Sequence, residues 1–479
     1  LDDPLFAARV AELENDLLAL ELTQMRVSSD SADGKPNPAS SVLKLQGSQL
    51  QQAATELFVE LAGPDVLPFE AGRHRNAHLG SGRRTDVPEL PQDLDLRRQQ
   101  RGTAHHHRLD HSRPLGGRTA MDFQLSDEQV LLRDTTRSML SGYDTETRNK
   151  VIEAEPGFNP EVWKQLADIG ILGLGFDPQE SGPLEIMVVL TVVHGALGPG
   201  ALIADRGTPE QRALLDAVAE GDHVLALAHT EPGMRGTAGK VTTTAVPQGG
   251  SWQLTGCKNP VLTGDRADTL VVSAALPDGA TGLFLVDGGA DGVTRQPYRT
   301  FDGQRGAQID FADTPATALG EATDASAAIE RAMIRISSAL CAEAVGAMEE
   351  ALRLTTDYLK TRKQFGVTLN TFQTLTQRAA DMYVSLELAR SMSMYAAMSL
   401  ADDNYDPVIA ARAKLQVGRS GRHIAQEAIQ LHGGIGVTWE YPVGHLAARL
   451  TAIDHTLGSS QDQLHVLIDN LGGYDLAKL

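Results

Sequence analysis

The hydrophobic periodicity of this chain changes twice, and these changes constrain its fold more than any other feature of the sequence. Helical patterning starts with "MDFQLSDEQVLLRDTTRSML" at Met121, in which Ser126 and Gln129 have capping-box spacing ahead of an apolar run. After residue 224 the pattern becomes strand-like, with "TLVVSAAL", "GLFLVDGG" and "GAQIDFAD" separated by turn residues. From Ser326, apolar residues again recur every three or four positions. We therefore predict an α+β multidomain chain, with a helical domain at 121–223, a β domain at 224–325 and a second helical domain at 326–479.

Two further helices are predicted within residues 1–69, and their sequences repeat the C-terminal part of the chain. Three pairs of segments match: "RVAEL" at Arg9 with "RAADM" at Arg378, "LKLQ" ending at Gln46 with "AKLQ" ending at Gln416, and "VELAG" ending at Gly63 with "IQLHG" ending at Gly433. The offset is 369 or 370 residues in every pair. Since a constant offset is the mark of an internal repeat, we predict that residues 1–69 are a partial copy of the C-terminal helical module.

Residues 70–120 have no apolar stripe and many Arg, His, Gly and Pro, which is typical of a solvated linker. The segment contains three adjacent histidines, His105 to His107. Adjacent histidines do not converge on one helical face, and no cysteine or acidic cluster completes a ligand set. The sequence therefore predicts a linker here rather than a metal site.

The composition excludes several classes of partner and compartment. The net charge of −20 disfavours nucleic acid or an anionic membrane as the main partner. We find no apolar run of the roughly 18 residues that a spanning helix needs, and no secretory signal. The two cysteines, Cys257 and Cys341, have no near partner in the sequence. This usage suits a reducing cytoplasm.

Two glycine-containing segments are candidates for phosphate binding. "YLKTRKQFGVTLNTFQ" places Arg362 at a helix end, ahead of Phe365, with Gln373 starting the next helix. "QLHGGIGVTWEYPVGHL" places Gly433 and Gly434 in a turn between two helices. Glycines let backbone N–H groups approach phosphate oxygens, and an arginine can pair with a pyrophosphate. Alone, each segment is also typical of an ordinary interhelical turn or a solvated cap.

Taken together, these segments resemble the acyl-CoA dehydrogenase family over Met121 to Leu479. The family's R-x-x-F-G, F-Q and Q-x-x-G-G-x-G segments occur here in order. "AHTEPG" at Ala228 to Gly233 resembles its T-E-P-G flavin loop, and "LTGCK" at Leu254 to Lys258, followed by Ala267-Asp268, resembles its next strand pair.

The resemblance implies an N-terminal helical domain, a β-barrel-like middle domain and a C-terminal four-helix bundle, preceded here by the extra N-terminal helices. It also implies FAD, an acyl-CoA substrate, an electron-transfer flavoprotein as electron acceptor, and a homo- or hetero-oligomer. The residues that it implies for FAD binding are Arg362, Phe365, Gln373, Gln430, Gly433, Gly434, Thr230, Ser459 and Gln461. Thr230 would lie at the isoalloxazine, and the Arg362–Gly434 group would contact the ADP part across a subunit interface.

The catalytic base of the family is missing from both places where its members carry it. The family's "YEGTSQ" segment corresponds to "TLGSSQ" here, so that Leu457 replaces the glutamate. The alternative position, 22 residues before the tyrosine of the R-x-x-F-G helix, is Ile336. Neither side chain can accept a proton. The acids on the same predicted helix, Glu343, Glu349 and Glu350, are interpreted as solvated or structural.

The flavin side of the resemblance is also incomplete. The family's aromatic and hydroxyl residues after the lysine become Pro260 and Leu262, and its G-S-D becomes Arg235-Gly236-Thr237. The segment "LTVVHGALGPGALIADRG" is shorter than its family counterpart. These losses resemble the base-less member of heteromeric, actinobacterial-type acyl-CoA dehydrogenases, in which a homologous subunit supplies the glutamate.

The Arg- and His-rich stretch from Pro91 to Ser112 has an explanation at the level of DNA. Suitable synonymous codons, read one nucleotide later, give "RKTSIYGGSNEAQRTTIASTIL", which resembles the C-terminal signature of a base-bearing subunit. We therefore hypothesise a frameshift near Glu70 that joined the end of a partner gene to a second gene starting at Met121. Codons for Leu96 to Gly102 that cannot encode Y-G-G-S-N-E in that frame would refute it.

Two other interpretations remain open at this stage. The chain could be a scaffold subunit that binds a CoA ester without redox activity, which a colourless purified protein would favour. It could also be a degenerate fusion product, which a cooperative thermal transition would count against.

Overall fold

A computed structural model describes residues 3–30, 37–62, 123–142, 144–155, 157–176, 181–189, 197–234 and 239–471. The chain forms two compact units, one made of Leu1–Leu50 with Gln124–Leu479 and the other of Gln51–Phe123. The predicted linker at 70–120, with His105 to His107 and Pro91 to Ser112, lies outside the described residues, as do Met121 and the Arg235-Gly236-Thr237 segment. The architecture below is that of the first unit.

Short helices make up the described part of the chain between Asp127 and Ala219. They are α3 (Asp127–Leu140), α4 (Thr145–Glu153), α5 (Pro160–Asp168), α6 (Pro183–Val189), α7 (Leu197–Arg206), α8 (Pro209–Arg212) and α9 (Leu214–Ala219). The predicted capping box starts α3, because the Ser126 side chain accepts from the Gln129 backbone and the Gln129 side chain accepts from the Ser126 N–H. Leu166, Ile171 and Leu172 form a small apolar core for these helices with Val189.

Seven strands follow and form one sheet. They are β1 (Leu225–Ala228), β2 (Thr244–Gln248), β3 (Ser251–Leu262), β4 (Thr269–Ala275), β5 (Thr281–Asp287), β6 (Val293–Arg299) and β7 (Arg305–Ala318). The pairing runs β4–β5–β7–β3–β2 and returns to β4 through Thr244 and Ala275, so these five strands form a closed circuit. Such closure leaves few unpaired edges and encloses a core that contains Leu254, Phe284 and Ile309.

Long helices build the C-terminal region, which agrees with the mixed α+β prediction. They are α10 (Ser326–Thr361), α11 (Gln373–Ala401), α12 (Pro407–His432), α13 (Pro442–His455) and α14 (Ser460–Asp469), and a two-stranded hairpin, β8 (Lys363–Gln364) and β9 (Val367–Thr368), joins α10 to α11. The buried Lys414 of α12 donates to the carbonyl oxygens of Ile453 (2.7 Å) and Asp454 (3.0 Å), which lie in the last turn of α13. This contact satisfies carbonyl groups that a helix end leaves without partners.

Two N-terminal helices, α1 (Pro4–Asp30) and α2 (Ser40–Ala62), precede these elements. Moved by the offset of the repeat, α1 falls on α11 and α2 falls on α12, with ends that agree to within a few residues. α1 packs against α11, α12 and α14. The two N-terminal helices therefore correspond to the second and third helices of the C-terminal region.

Candidate functional site

The ends of α10 and α12 lie beside each other, close to the start of α11. The rings of Tyr358, near the end of α10, and His432, the last residue of α12, have centroids 4.6 Å apart. The backbone N–H of Leu369 donates to the Arg362 carbonyl (2.9 Å), which holds the hairpin against the end of α10. Six of the predicted FAD residues come from this end of the helical region: Arg362, Phe365, Gln373, Gln430, Gly433 and Gly434.

The polar side chains at this end of the helical region are exposed to solvent. The side chains of Arg362, Gln373 and Gln430 are exposed, and none of them forms a hydrogen bond or ion pair with another described residue. Gly433 has a φ of 66°, and a side chain at Gly433 or Gly434 would meet no atom within 4 Å. Phe365 is 92% exposed. One cation, two amides and open backbone form a donor set suited to an anionic group such as a pyrophosphate.

A second group of predicted residues lies at the other end of α13. Ser459 caps α14, since its hydroxyl accepts from the Asp462 N–H at 3.4 Å. Gln461 is exposed in the first turn of α14. By helix rise, the 14 residues of α13 separate this end from the Gly433 turn by about 20 Å. The structure thus divides eight of the nine predicted FAD residues between two places on one chain, and the ninth, Thr230, follows β1.

The two positions of the missing base lie in one apolar cluster. Ile336 of α10 and Leu457, in the turn after α13, both pack against a set of buried side chains that includes Val271 of β4 and Met333 of α10. Leu227 of β1 packs against the same cluster, three residues before Thr230. Leu457 has a φ of 59°, in the left-handed region, and Gly458 follows it with a φ of 97°. The two positions at which the resemblance would place the base therefore lie at the same apolar core.

Three other acids on α10, Glu343, Glu349 and Glu350, lie beside arginines. Both carboxylate oxygens of Glu343 accept from Arg449, one of them from Nη2 at 2.8 Å, and Arg449 also contacts Asp302 at 2.8 Å. Glu350 accepts from Arg353, and Glu349 lies 3.8 Å from Arg390. These ion pairs agree with a structural interpretation of the three acids.

A buried ion pair supports the loop that carries Thr230. Lys258 of β3 is fully buried, and its Nζ lies 2.7 Å from Oε1 of Glu231, whose side chain is 5% exposed. The same Nζ donates to the carbonyl of His229 (3.1 Å) and to Ser273 Oγ (3.1 Å). Glu231 also accepts from the backbone N–H groups of Thr242 and Thr243, at 2.8 and 2.9 Å. The residues on both sides of Thr230 are therefore tied to β3.

Burial and the ion pair act on the pKa values of Lys258 and Glu231 in opposite senses, and the ion pair with its hydrogen bonds outweighs burial only for Glu231. Burial alone would raise the pKa of Glu231, but the hydrogen bonds from Lys258, Thr242 and Thr243 outweigh it and lower the pKa to about 2. Burial lowers the pKa of Lys258 to about 8, against the attraction of Glu231. The sequence motif identified Lys258 as a candidate residue but did not indicate that Glu231 is its partner.

A cavity of about 480 Å³ opens between α12 and α13. It is lined by Arg422, Ile429, Trp439, His445 and Asp454, among other residues. Arg422 and Asp454 form an ion pair across it, at 3.0 Å. None of the predicted FAD residues is among its described lining residues.

Comparisons with known proteins agree with this architecture. The acyl-CoA dehydrogenase middle domain matches residues 226–313, and the acyl-CoA dehydrogenase C-terminal domain matches residues 328–472. The acyl-CoA dehydrogenase FadE12 of Mycobacterium tuberculosis is 31% identical over 371 residues, which cover 70% of this chain and 94% of FadE12. The chain belongs to the acyl-CoA dehydrogenase family. Its members are FAD-dependent oxidoreductases that act on a CH–CH bond, so the resemblance seen in the sequence is confirmed.

Two solved structures of the family are similar over nearly their whole length. A variant of the Tcur3481–Tcur3483 steroid ACAD is 30% identical, with a TM-score of 0.65, covering 72% of this chain and 98% of that one. The ChsE4–ChsE5 complex from Mycobacterium tuberculosis is 25% identical, with a TM-score of 0.65, covering 74% and 100%. The acyl-CoA dehydrogenase fold therefore accounts for about three quarters of this chain.

Two searches of the described residues gave no candidate. Among them, no three His, Cys, Asp or Glu side chains are arranged to hold a metal ion. No helix in the described ranges is long and apolar enough to cross a membrane.

Proposed function

We propose that this chain is the base-less subunit of a heteromeric acyl-CoA dehydrogenase. It binds FAD and an acyl-CoA thioester, and it depends on a homologous subunit for the catalytic carboxylate. The observation that carries the proposal is the pair Ile336 and Leu457, which place aliphatic side chains at both base positions in one apolar cluster. The Tcur3481–Tcur3483 steroid ACAD and the ChsE4–ChsE5 complex are each named for two proteins, which supports a heteromeric assembly.

The chemistry explains why the missing carboxylate matters. When bound, FAD accepts the hydride that leaves the β-carbon of the acyl chain. The protein must remove a proton from the α-carbon, and a buried carboxylate suits that task because burial raises its pKa. Leu457 and Ile336 can only exclude water and contact the acyl chain. The arginine contacts of Glu343 and its neighbours on α10 make these acids poor substitutes.

The donor set at the ends of α10 and α12 fits the ADP part of FAD. We assign Arg362 to the pyrophosphate, Gln373 and Gln430 to hydrogen bonds with the ADP moiety, Phe365 to apolar contact, and Gly433 and Gly434 to close backbone approach. Thr230, Ser459 and Gln461 are assigned to the flavin half. Because the first group is exposed on one chain and about 20 Å from the second along α13, we propose that each FAD is shared between two subunits.

Three further parts of the proposal come from the sequence. We propose an electron-transfer flavoprotein as electron acceptor and the cytoplasm as location, which the two unpaired cysteines support. We also propose domain boundaries at 121–223, 224–325 and 326–479, preceded by a fragment of a homologous subunit at 1–69 and a linker at 70–120.

Co-expression with a base-bearing homologous subunit tests the proposal directly. The co-purified complex is expected to contain FAD and to lose flavin absorbance when an acyl-CoA is added without oxygen. This chain alone is expected to show no such bleaching. Bleaching by the isolated chain would contradict the missing-base argument, and a colourless complex that still binds acyl-CoA would favour the scaffold interpretation.

Replacement of Arg362 by alanine should weaken FAD binding. A charge-assisted hydrogen bond contributes about 1.5–3 kcal/mol, so the dissociation constant is expected to rise about 10- to 100-fold. The measurement is a fluorescence titration of the apo-complex with FAD. Arg331→Ala is a matched control, because Arg331 is an exposed arginine near the start of the same helix. Equal weakening by both variants would remove Arg362 from the proposed site.

A further inference from the structure

One face of α1 is buried over the whole length of the helix. Most of the buried residues recur every three or four positions, and together they are Ala7, Ala11, Asn15, Leu18, Ala19, Glu21, Leu22, Thr23, Arg26 and Val27. Ala11 packs on α12 and α14 through Leu415 and Leu464. The second half of the helix crosses α11, where Thr23 Oγ1 donates to Ser391 Oγ at 2.9 Å. Arg26 pairs with Glu387 in the same contact, with side-chain exposures of 8% and 7%. α1 is therefore docked by specific polar pairs as well as by apolar packing.

The contact between α1 and α11 has the geometry of a two-fold interface. Residue numbers rise along α1 from Thr23 to Arg26 while they fall along α11 from Ser391 to Glu387, so that the helices cross antiparallel. With the repeat offset of 369, Ser391 corresponds to Leu22 and Glu387 corresponds to Leu18. The contacts Thr23–Ser391 and Arg26–Glu387 are therefore centred on equivalent points of the two helices, near Leu22 of α1 and Ser391 of α11. Matching residues meet around a common centre when two homologous subunits form an isologous interface.

We propose that α1 occupies, within its own chain, the face of α11 and α12 on which the equivalent helix of a homologous subunit docks. An isologous interface joins two chains, whereas here one chain supplies both helices of the contact. The proposal concerns assembly and does not depend on the chain's catalytic competence.

The charges on this face identify α1, rather than a second copy of the chain, as the matching occupant. Arg412 lies 3.5 Å from Glu14, and Arg419 lies 3.6 Å from Asp16. In a second copy, the residues equivalent to Glu14 and Asp16 are Tyr383 and Ser385, which carry no charge at neutral pH. The position of Arg26, opposite the buried Glu387, would be taken by Tyr395. The face is thus complementary to a helix with the acidic and basic residues of α1.

A disulfide between α1 and α11 tests whether the helix is docked in its own chain. In the full chain, the double variant Thr23→Cys/Ser391→Cys should form an intrachain cross-link on mild oxidation, because the two hydroxyl oxygens are 2.9 Å apart. Burial raises the thiol pKa of Cys257 to about 11 and that of Cys341 to about 12, so the native cysteines compete poorly at neutral pH. Non-reducing electrophoresis should show a monomer of altered mobility. Covalent dimers, or no cross-link, would overturn docking within the chain.

A peptide competition tests whether α1 shields the face. The probe is a fluorescent synthetic peptide with the sequence of residues 3–28. It should bind the full-length Arg26→Glu variant at least tenfold more tightly than the wild type, because the charge reversal repels Glu387 and unseats the helix. In Arg26→Glu/Glu387→Arg the reversed pair re-forms, so binding of a probe peptide that itself carries Arg26→Glu, and therefore matches the changed face, should be no tighter than binding of the original peptide to the wild type.

The controls separate unseating from unfolding. Lys44→Glu makes the same charge change at an exposed position of α2 and should leave peptide binding unchanged. Retention of a cooperative thermal transition in Arg26→Glu shows that the rest of the chain is folded, and the return of weak peptide binding in the double variant shows that the charge pair is responsible. Equal peptide binding by wild type and Arg26→Glu would overturn the shielding. Neither readout involves flavin or turnover, so these results are independent of the proposed function.

Discussion

Replacement of Leu457 by glutamate should give the complete FAD-containing assembly a second proton-accepting site, on the subunit that we propose to lack one. The side chain of Leu457 packs against the same apolar cluster as Ile336. The backbone at Leu457 has a left-handed conformation, with a φ of 59°. A carboxylate placed there loses hydration, and its pKa should rise toward that of the weak carbon acid it must deprotonate. General base catalysis contributes about 10²–10⁴-fold, which sets the expected gain.

The measurement needs an assembly in which the catalytic glutamate of the partner subunit has been inactivated. With the partner's glutamate changed to glutamine, bleaching by acyl-CoA should be absent with wild-type Leu457 and present with Leu457→Glu. Leu457→Gln is the matched control, since it has nearly the same shape and polarity but cannot accept a proton. If the glutamine variant bleaches the flavin as fast as the glutamate variant, the gain does not come from a base. Ile336→Glu repeats the test from the helix side.

The same substitution should have a pH-dependent cost in stability. An unpaired carboxylate in an apolar cluster costs on the order of 3 kcal/mol. Because its folded-state pKa is raised above the unfolded value of about 4.3, the cost should be small below pH 4 and should grow as the pH rises through that value. Thermal denaturation of Leu457→Glu and wild type at pH 4 and pH 7 measures this difference. A cost that does not change with pH would mean that the carboxylate reaches solvent.

The order of helices and strands could be predicted from the sequence because its signals are local. The capping box at Ser126 and the helical spacing after Ser326 specify elements through neighbours a few residues apart. The two positions expected for the base, Leu457 and Ile336, follow from nearby motif residues, and that assignment remains a prediction. Their convergence on one cluster joins residues 121 positions apart, and only the folded chain shows it.

The partners of buried polar residues could not be predicted for the same reason. Lys258 was recognisable as a motif residue, but Glu231 is 27 residues away, and neither segment alone indicates that the fold brings β3 beside the residues that follow β1. In α1, a stripe of apolar and small residues predicts one buried face but does not indicate which helices pack against that face. The repeat identified the helix that α1 copies, and the structure added that α1 packs against that same helix.

Replacement of Lys258 by methionine should destabilise the β region strongly. Glu231 would remain buried without its cation, and breaking a buried pair from one side costs about 3–5 kcal/mol. Lys240→Met is the control, because Lys240 is exposed, and it should change the free energy of unfolding by less than about 0.5 kcal/mol. Lys258→Met/Glu231→Gln removes the uncompensated charge and should recover part of the loss. If the double variant is no more stable than Lys258→Met, the pair is not the source of the effect.

The difference in stability between wild type and Lys258→Met should depend on pH, whereas a simple loss of packing would not. The pKa of Glu231 is about 2 in the folded chain, below its ordinary value of 4.5, so its stabilisation is fully present above pH 4.5 and disappears as the pH falls toward 2. The difference between wild type and Lys258→Met should therefore be largest near neutral pH and should shrink below pH 4.5. Lys258 also donates to the carbonyl of His229, next to Thr230. The variant should therefore lose FAD more readily than Lys240→Met, which flavin fluorescence of the purified assembly can measure. A difference in stability that stays constant from pH 7 to pH 3 would show that Lys258 acts through packing alone.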